Sequence, residues 1–87
     1  VPVDVRIQGS GTGTVTVDWG SGQVPLSASA LVQVPRDANV TVTAVADGQF
    51  TVTQFTCSAA ASTGVGTPTA SANFTANFWV FNTIAFA

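Results

Sequence analysis

The chain has 87 residues, of which 46% are hydrophobic and only 7% are charged, and its formal net charge is −2. Two arginines cannot form the clustered basic surface that a nucleic-acid-binding protein needs, so the composition excludes that class of function. No apolar run approaches the ~20 residues of a membrane-spanning helix, and no signal-peptide pattern is present. The length suits one small domain, residues 1–87, with a single modest core.

The first two predicted strands flank a glycine-rich segment. Residues 1–8 and residues 14–19 each alternate apolar and polar side chains, which is typical of strands with one exposed face. The run Gly9-Ser10-Gly11-Thr12-Gly13 between them predicts a turn. We therefore predict a β-hairpin made of these two strands.

The next segment, residues 24–34, has a less regular pattern. We expect one or two short strands here, and Pro25 restricts the first of them to the edge of a sheet because proline lacks an N–H. A short helix over residues 27–32 is the alternative. Residues 35–38, which begin with Pro35, predict another turn.

Two Thr/Val-rich segments flank the tripeptide Ala46-Asp47-Gly48 and predict a second hairpin. A three-residue loop pairs Val42 with Val52 and Ala44 with Phe50, so that apolar side chains share one face and threonines the other. The same loop requires Gly48 to adopt a left-handed backbone conformation. The paired segments are residues 39–45 and 49–55.

The C-terminal part begins with a low-complexity segment. Residues 58–71 are rich in Ala, Ser, Thr and Gly and predict a long flexible loop. The final run, residues 73–86, holds four of the six Phe residues, and its alternation predicts a strand. A straight strand of this length would span roughly 45 Å at ~3.3 Å per residue. We therefore expect a bend, at Asn77 or at Asn82-Thr83.

Both faces of this final run are apolar at its centre. Trp79 and Phe81 lie together on one face, and a larger set of apolar positions occupies the other. We assign Phe78 and Val80, at the centre of that larger set, to the core of the domain. The set is Phe74, Ala76, Phe78, Val80, Asn82, Ile84 and Phe86.

These elements predict an all-β fold of about six or seven short strands. We expect a single antiparallel domain, either a sandwich or a β-grasp-like sheet.

The residue types needed for catalysis or metal binding are largely missing. The chain contains no His, Lys or Glu, and its four Asp residues are scattered along the sequence. A nucleophile would lack the usual base, and no cluster has metal-ligand spacing, so we predict a non-enzyme without a cofactor or metal. Cys57 is the only cysteine, which excludes an internal disulfide and favours a small buried side chain. A disulfide to another chain or a reactive thiol is the alternative.

The aromatic residues are the remaining candidates for function. We predict a partner interface at the C-terminal strand formed by Trp79, Phe81, Ile84 and Phe86, with Trp19 as a secondary contact. The expected partner is a second copy of the chain or a coat or surface protein. An exposed tryptophan also leaves a carbohydrate ligand open.

Most of the chain resembles a known type of bacterial surface domain. The segment from Val5 to Val17, containing Gly9-Ser10-Gly11-Thr12-Gly13, is similar to the opening of the surface-repeat domains related to the internalin B-repeat. Residues 39–51 and the closing Asn82-Thr83-Ile84-Ala85-Phe86 resemble its central hairpin and last strand. Two features differ, since Thr53-Gln54-Phe55-Thr56 replaces the family's Trp motif and only one member of its cysteine pair is present.

A second resemblance is carried by Val17-Asp18-Trp19-Gly20-Ser21-Gly22. This segment is similar to the strand-turn signature of polycystic-kidney-disease-type immunoglobulin-like domains, which also occur in phage virion proteins. Both resemblances imply β-domains used for display, spacing or adhesion.

Composition and resemblance together lead to one functional expectation. We expect a structural protein that assembles on a surface, most plausibly a small phage capsid decoration or virion appendage protein, located in the virion or outside the cell. The alternative is a module of a secreted bacterial adhesin or carbohydrate-binding surface protein.

Overall fold

Eight β-strands and no helix form the fold in a computed structural model that describes all 87 residues. The predicted all-β class is confirmed, with slightly more strands than expected. The strands are β1 (Pro2–Gln8), β2 (Gly13–Asp18), β3 (Gln23–Leu26), β4 (Ala30–Gln33), β5 (Asn39–Ala46), β6 (Val52–Cys57), β7 (Thr69–Thr75) and β8 (Val80–Phe86).

The strands form two four-stranded sheets that pack face to face. Sheet A has the order β4-β1-β8-β6, and sheet B has the order β3-β2-β5-β7. One core of 18 buried residues draws side chains from both sheets, for example Val3 and Val5 from sheet A and Val15 and Val42 from sheet B. The arrangement is therefore a sandwich and not a β-grasp, because no helix covers either sheet.

One strand pair departs from the predicted antiparallel arrangement. β1 and β8, the two central strands of sheet A, run parallel and are paired from Val3↔Val80 to Gln8↔Ala85. All other neighbours are antiparallel. The first and last strands of the chain therefore lie side by side in the middle of one sheet.

The predicted hairpin of β1 and β2 is wrong, because these strands belong to different sheets. The glycine-rich segment crosses from sheet A to sheet B over the end of β8. There the N–H of Gly11 donates to the carbonyl of Phe86 at 2.8 Å, and a Cβ on Gly13 would lie 2.5 Å from the Phe86 ring. The glycines are thus needed for close approach to Phe86 and not for a tight hairpin turn.

The predicted pairing of β5 with β6 is also wrong. β5 lies between β2 and β7, so Ala44 pairs with Val15 and Ala70 and not with Phe50. β6 pairs with β8 in the other sheet, and Phe50 lies in the connecting loop. Gly48 has a φ of +51°, so its left-handed conformation is confirmed, although the loop joins two sheets.

Residues 24–34 form two short strands, β3 and β4, so the alternative helix is wrong. β3, which contains Pro25, lies at the edge of sheet B, as the missing N–H requires.

The long loop between β6 and β7 is bonded to the sandwich at several points. The N–H of Val52 donates to Thr67 O and the N–H of Ala46 donates to Pro68 O, at 2.9 and 2.8 Å. Thr63 and Ser71 exchange two backbone hydrogen bonds at 2.9 Å. The loop ends earlier than predicted, because residues 69–71 belong to β7. Its flexibility stays a prediction.

The final aromatic run bends where one of the two predicted positions lies. β7 ends at Thr75 and β8 begins at Val80, so the break surrounds Asn77, whereas Asn82 and Thr83 lie within β8. The two halves of the run therefore belong to different sheets. This bend carries Phe78 out of the core position predicted for it, and its side chain is 66% exposed.

Candidate functional site at the start of β8

Three neighbouring aromatic side chains are exposed at the start of β8. Phe78 is 66% exposed, Trp79 48% and Phe81 53%, and these three lie within four consecutive residues of the chain. We call Phe78, Trp79 and Phe81 the aromatic surface. Residues of this size rarely remain this exposed together on a protein that works alone.

Backbone geometry explains why these residues are exposed. Val80 and Asn82 point into the core, so Phe81 between them must point outward. Phe78 and Trp79 precede the strand, in the connection that crosses from sheet B to sheet A.

A second turn fixes this connection. The N–H of Asp37 donates to Ala76 O at 2.8 Å, and the N–H of Ala76 donates to Ala38 O at 2.9 Å. The guanidinium of Arg36 donates through Nη1 to Asn77 O at 2.9 Å. Asp37 has a φ of 66°, which Asp tolerates better than most residues. The aromatic surface therefore projects from a hydrogen-bonded bend.

The rings of Trp79 and Phe81 stack on each other. Their centroids are 5.7 Å apart and their planes differ by 9°. This offset stack is a favourable arrangement for two aromatic rings. It also means that each ring already covers part of a face of the other.

The neighbouring strands extend the site across sheet A. Asp4 of β1 lies between Leu31 of β4 and Phe81 of β8 in one row of the sheet. Leu31 is 46% exposed. On the far side of Phe81, the backbone N–H of Phe81 donates to the Ser58 hydroxyl at 2.9 Å. An acidic side chain and a leucine therefore border the stacked rings.

Two of the predicted interface residues lie elsewhere. Ile84 and Phe86 are both 0% exposed and belong to the core. Their side chains have no surface to offer a partner, so the structure removes them from the interface. The signal was present in the sequence, because both share the period-two face of Val80.

Trp19 is partly buried against the core at the turn between β2 and β3. A Cβ on Gly22 would lie 2.6 Å from its indole ring, so the ring packs over this glycine. Trp19 follows a strand of sheet B and is separate from the aromatic surface, which lies on sheet A.

Sequence reasoning missed Phe78, Leu31 and Asp4 as members of the site. The alternation places Phe78 in the core only if it continues through the bend, and the bend interrupts it. The proximity of Leu31 and Asp4 to Phe81 depends on which strands are neighbours, and no local pattern carries that information.

The site has none of the usual features of a small-molecule or metal site. The structure has no concave pocket and no group of three or more Cys or Asp side chains close enough to hold a metal ion. It also contains no helix with the length and apolar character needed to cross a membrane. Cys57 is a free, partly buried thiol.

Comparison with known proteins found no family model, no curated protein and no solved structure that matches this chain.

Proposed function

We propose that this chain is a non-catalytic structural protein that assembles on a protein surface through its aromatic surface. The observation that carries the proposal is the joint exposure of Phe78, Trp79 and Phe81. At about half exposure, three aromatic side chains present roughly 300 Å² of apolar area. This area is on the scale that marks an interaction site.

The ring geometry supports a protein partner over a sugar. A pyranose ring stacks on a free aromatic face, and the mutual stack of Trp79 and Phe81 leaves each ring with only one such face. A side chain from another protein can pack around the edges of such a pair. The flat surroundings also suit a protein, because sugars and other small ligands usually bind in concave sites.

The low charge of the chain supports assembly. Only six side chains carry a formal charge, and the rest of the polar surface consists of Thr, Ser, Asn and Gln. Covering such a surface removes few charges from water, so the desolvation cost of a large interface is small. Among assembling proteins, we propose a small capsid decoration or appendage protein of a phage, located in the virion. The module of a secreted adhesin remains the second candidate.

The test separates a role of Trp79 in assembly from a role in folding. We expect native mass spectra of the wild-type chain at micromolar concentration to contain oligomers. Trp79→Ala should weaken this assembly by roughly 2 kcal/mol or more, while the thermal midpoint of the isolated subunit stays nearly unchanged. Val65→Ala is the matched control, because Val65 is also 48% exposed but lies in the loop between β6 and β7.

Two results contradict the proposal. One is a loss of ~3–5 kcal/mol in the free energy of unfolding of Trp79→Ala, which is typical of a core aromatic. The other is assembly of Trp79→Ala that equals that of the wild-type chain and of the Val65→Ala control.

A further inference from the structure

The outer face of sheet A divides into two unlike halves. The dividing line runs through Val5 of β1 and Asn82 of β8, which are paired and both point into the core. On one side of this line lie the acidic Asp4 and the bulky Phe81, which are neighbours in one row. On the other side lie the basic Arg6 and the smaller Thr83, which are neighbours in the next outward-facing row.

The contrast continues farther from the line. Trp79 lies three residues before Asn82 and is 48% exposed, whereas Ala85 lies three residues after it and is 9% exposed. Gln8 and Gln54, the strand neighbours of Ala85, share a hydrogen bond of 3.4 Å between their side-chain amides. Large aromatic side chains therefore project from one half of the face. The other half carries smaller side chains and the planar amides of two glutamines.

These halves are complementary to each other. We infer that the outer face of sheet A binds a second copy of this chain about a two-fold axis. The axis lies in the interface plane, perpendicular to the strands, at the level of Val5 and Asn82. This inference rests on the proposed function and names the partner and its orientation.

The rotation brings unlike groups together at each level of the face. Positions 4 and 6 are equally distant from Val5, so Asp4 faces Arg6 of the partner subunit. Positions 81 and 83 are equally distant from Asn82, so Phe81 faces Thr83 of the partner subunit. Trp79 likewise faces Ala85 of the partner subunit and stacks on its glutamine amides. Because the axis is two-fold, each of these contacts occurs twice in the dimer, as an isologous interface requires.

The charges select this axis over the other in-plane axis. A two-fold axis parallel to the strands keeps each residue at its own level. Along β1 it brings Asp4 onto Asp4 of the partner subunit, and between β1 and β8 it brings Asp4 onto Phe81 of the partner subunit, so neither position pairs opposite charges. Like charges in contact oppose association. Asp4 and Arg6 are the only charged residues on this face, and neither side chain has a hydrogen-bond partner within the chain. Arg36, in contrast, is bonded to Asn77.

The size of the face predicts a reversible dimer. Sheet A is four strands wide, and its two longest strands have seven residues. At ~4.8 Å per strand and ~3.3 Å per residue, the face covers at most roughly 19 by 23 Å. This footprint is smaller than the ~800 Å² per partner of a standard stable interface. Sheets can pack in this way at a separation of ~10 Å. We therefore expect dissociation on dilution through the micromolar range.

A charge-exchange experiment on the full chain tests the orientation. Arg6→Asp and Asp4→Arg each bring like charges together in the dimer, whereas the double variant D4R/R6D restores opposite pairs. Sedimentation equilibrium should show that each single variant weakens dimerisation by about tenfold or more, and that the double variant recovers most of this loss. Asp47→Arg changes the charge equally in an exposed turn and should leave dimerisation unchanged.

The outcomes separate this inference from the proposed function. A trimer, or single charge variants that dimerise as the wild-type chain does, overturns the two-fold arrangement. So does a double variant no better than the singles. If Trp79→Ala still disrupts assembly when the two-fold arrangement has been overturned, the proposed function stands without this inference. If the charge variants act as expected but Trp79→Ala has no effect, the proposed role of the aromatic surface is lost instead. A chain that is monomeric at every concentration contradicts the inference and also counts against the proposed function, which expects oligomers.

Discussion

The side-chain amide of Asn82 donates through Nδ2 to the backbone carbonyl of Asp4 at 3.3 Å, inside the sandwich. Asn82 is the one polar residue of the chain that is fully buried, at 1% exposure. Its second polar atom, Oδ1, is buried without a partner. The bond therefore links the two parallel strands β1 and β8 at the cost of one unsatisfied acceptor.

Substitutions of Asn82 should separate these two effects. Asn82→Val removes one hydrogen bond and one unpaired acceptor together, so we expect the free energy of unfolding to change by less than about 1 kcal/mol. Asn82→Asp buries an unpaired charge at neutral pH and should cost ~3 kcal/mol or more. Urea denaturation measures both. Equal losses for Val and Asp would show that Oδ1 has a partner, such as an ordered water.

The Asn82→Asp variant should also respond to pH. Burial raises the pKa of the introduced carboxyl in the folded state above its unfolded value of ~3.9. Below the unfolded pKa the group is neutral in both states, so the charge penalty is absent there. The penalty should grow as pH rises above that value and level off above the folded pKa. A destabilisation relative to wild type that is constant from pH 3 to 7 would contradict this placement.

Two glycines should be sensitive for different reasons. Gly48 has a φ of +51° and open space around the position of a Cβ, so only backbone strain opposes a side chain there. Gly48→Val should cost more than about 1 kcal/mol, and Gly48→Asn should cost less, because Asn tolerates the left-handed region. Equal and negligible losses would contradict the conformation of this loop.

Gly13 presents the opposite case. Its φ is not positive, but a Cβ would lie 2.5 Å from the Phe86 ring and 2.6 Å from the carbonyl of Val45. Gly13→Ala should therefore cost ~1–3 kcal/mol through overpacking. Thermal unfolding measures the stability of Gly13→Ala, with Gly48→Ala as the comparison variant. A Gly13→Ala variant as stable as wild type would show that Phe86 does not fill this site.

Phe74 and Phe78 test the bend directly, since both carry the same side chain on the same period-two face of the sequence. Phe74 is 5% exposed and Phe78 is 66% exposed. Phe74→Ala should lower the free energy of unfolding by ~3–5 kcal/mol, whereas Phe78→Ala should change it by ~0.5 kcal/mol or less. If both substitutions lower the free energy of unfolding by a similar amount, Phe78 is a core residue and the bend is misplaced.

The contrast between Phe74 and Phe78 also shows what the sequence can predict in this fold. Alternation correctly assigned inward positions such as Val40, Val42 and Val52, because burial on one face needs only the local period of the strand. The same alternation cannot indicate whether a turn joins neighbours in one sheet or crosses to the opposite sheet. The two predicted hairpins failed for this reason, since β1 and β2, and likewise β5 and β6, keep their apolar faces towards the core but belong to opposite sheets.

The candidate site was predictable to a similar extent. Trp79 and Phe81 follow from their position opposite Val80, and the structure shows both exposed. The placement of Asp4 beside Phe81 and of Arg6 beside Thr83 depends on the parallel pairing of β1 with β8. These residues are more than 70 positions apart in the sequence. Only the tertiary structure brings them into one face.

The parallel pairing of β1 with β8 also determines how the fold responds to a pulling force. β1 begins at the end of the sandwich where β8 begins, and β8 finishes at the opposite end. A pulling force applied at Pro2 and Phe86 therefore acts along two adjacent strands in opposite directions. Such a load shears the whole ladder between them at once and does not open its hydrogen bonds one by one. The connectivity of this small sandwich thus gives it mechanical resistance along the direction in which the chain would be stretched.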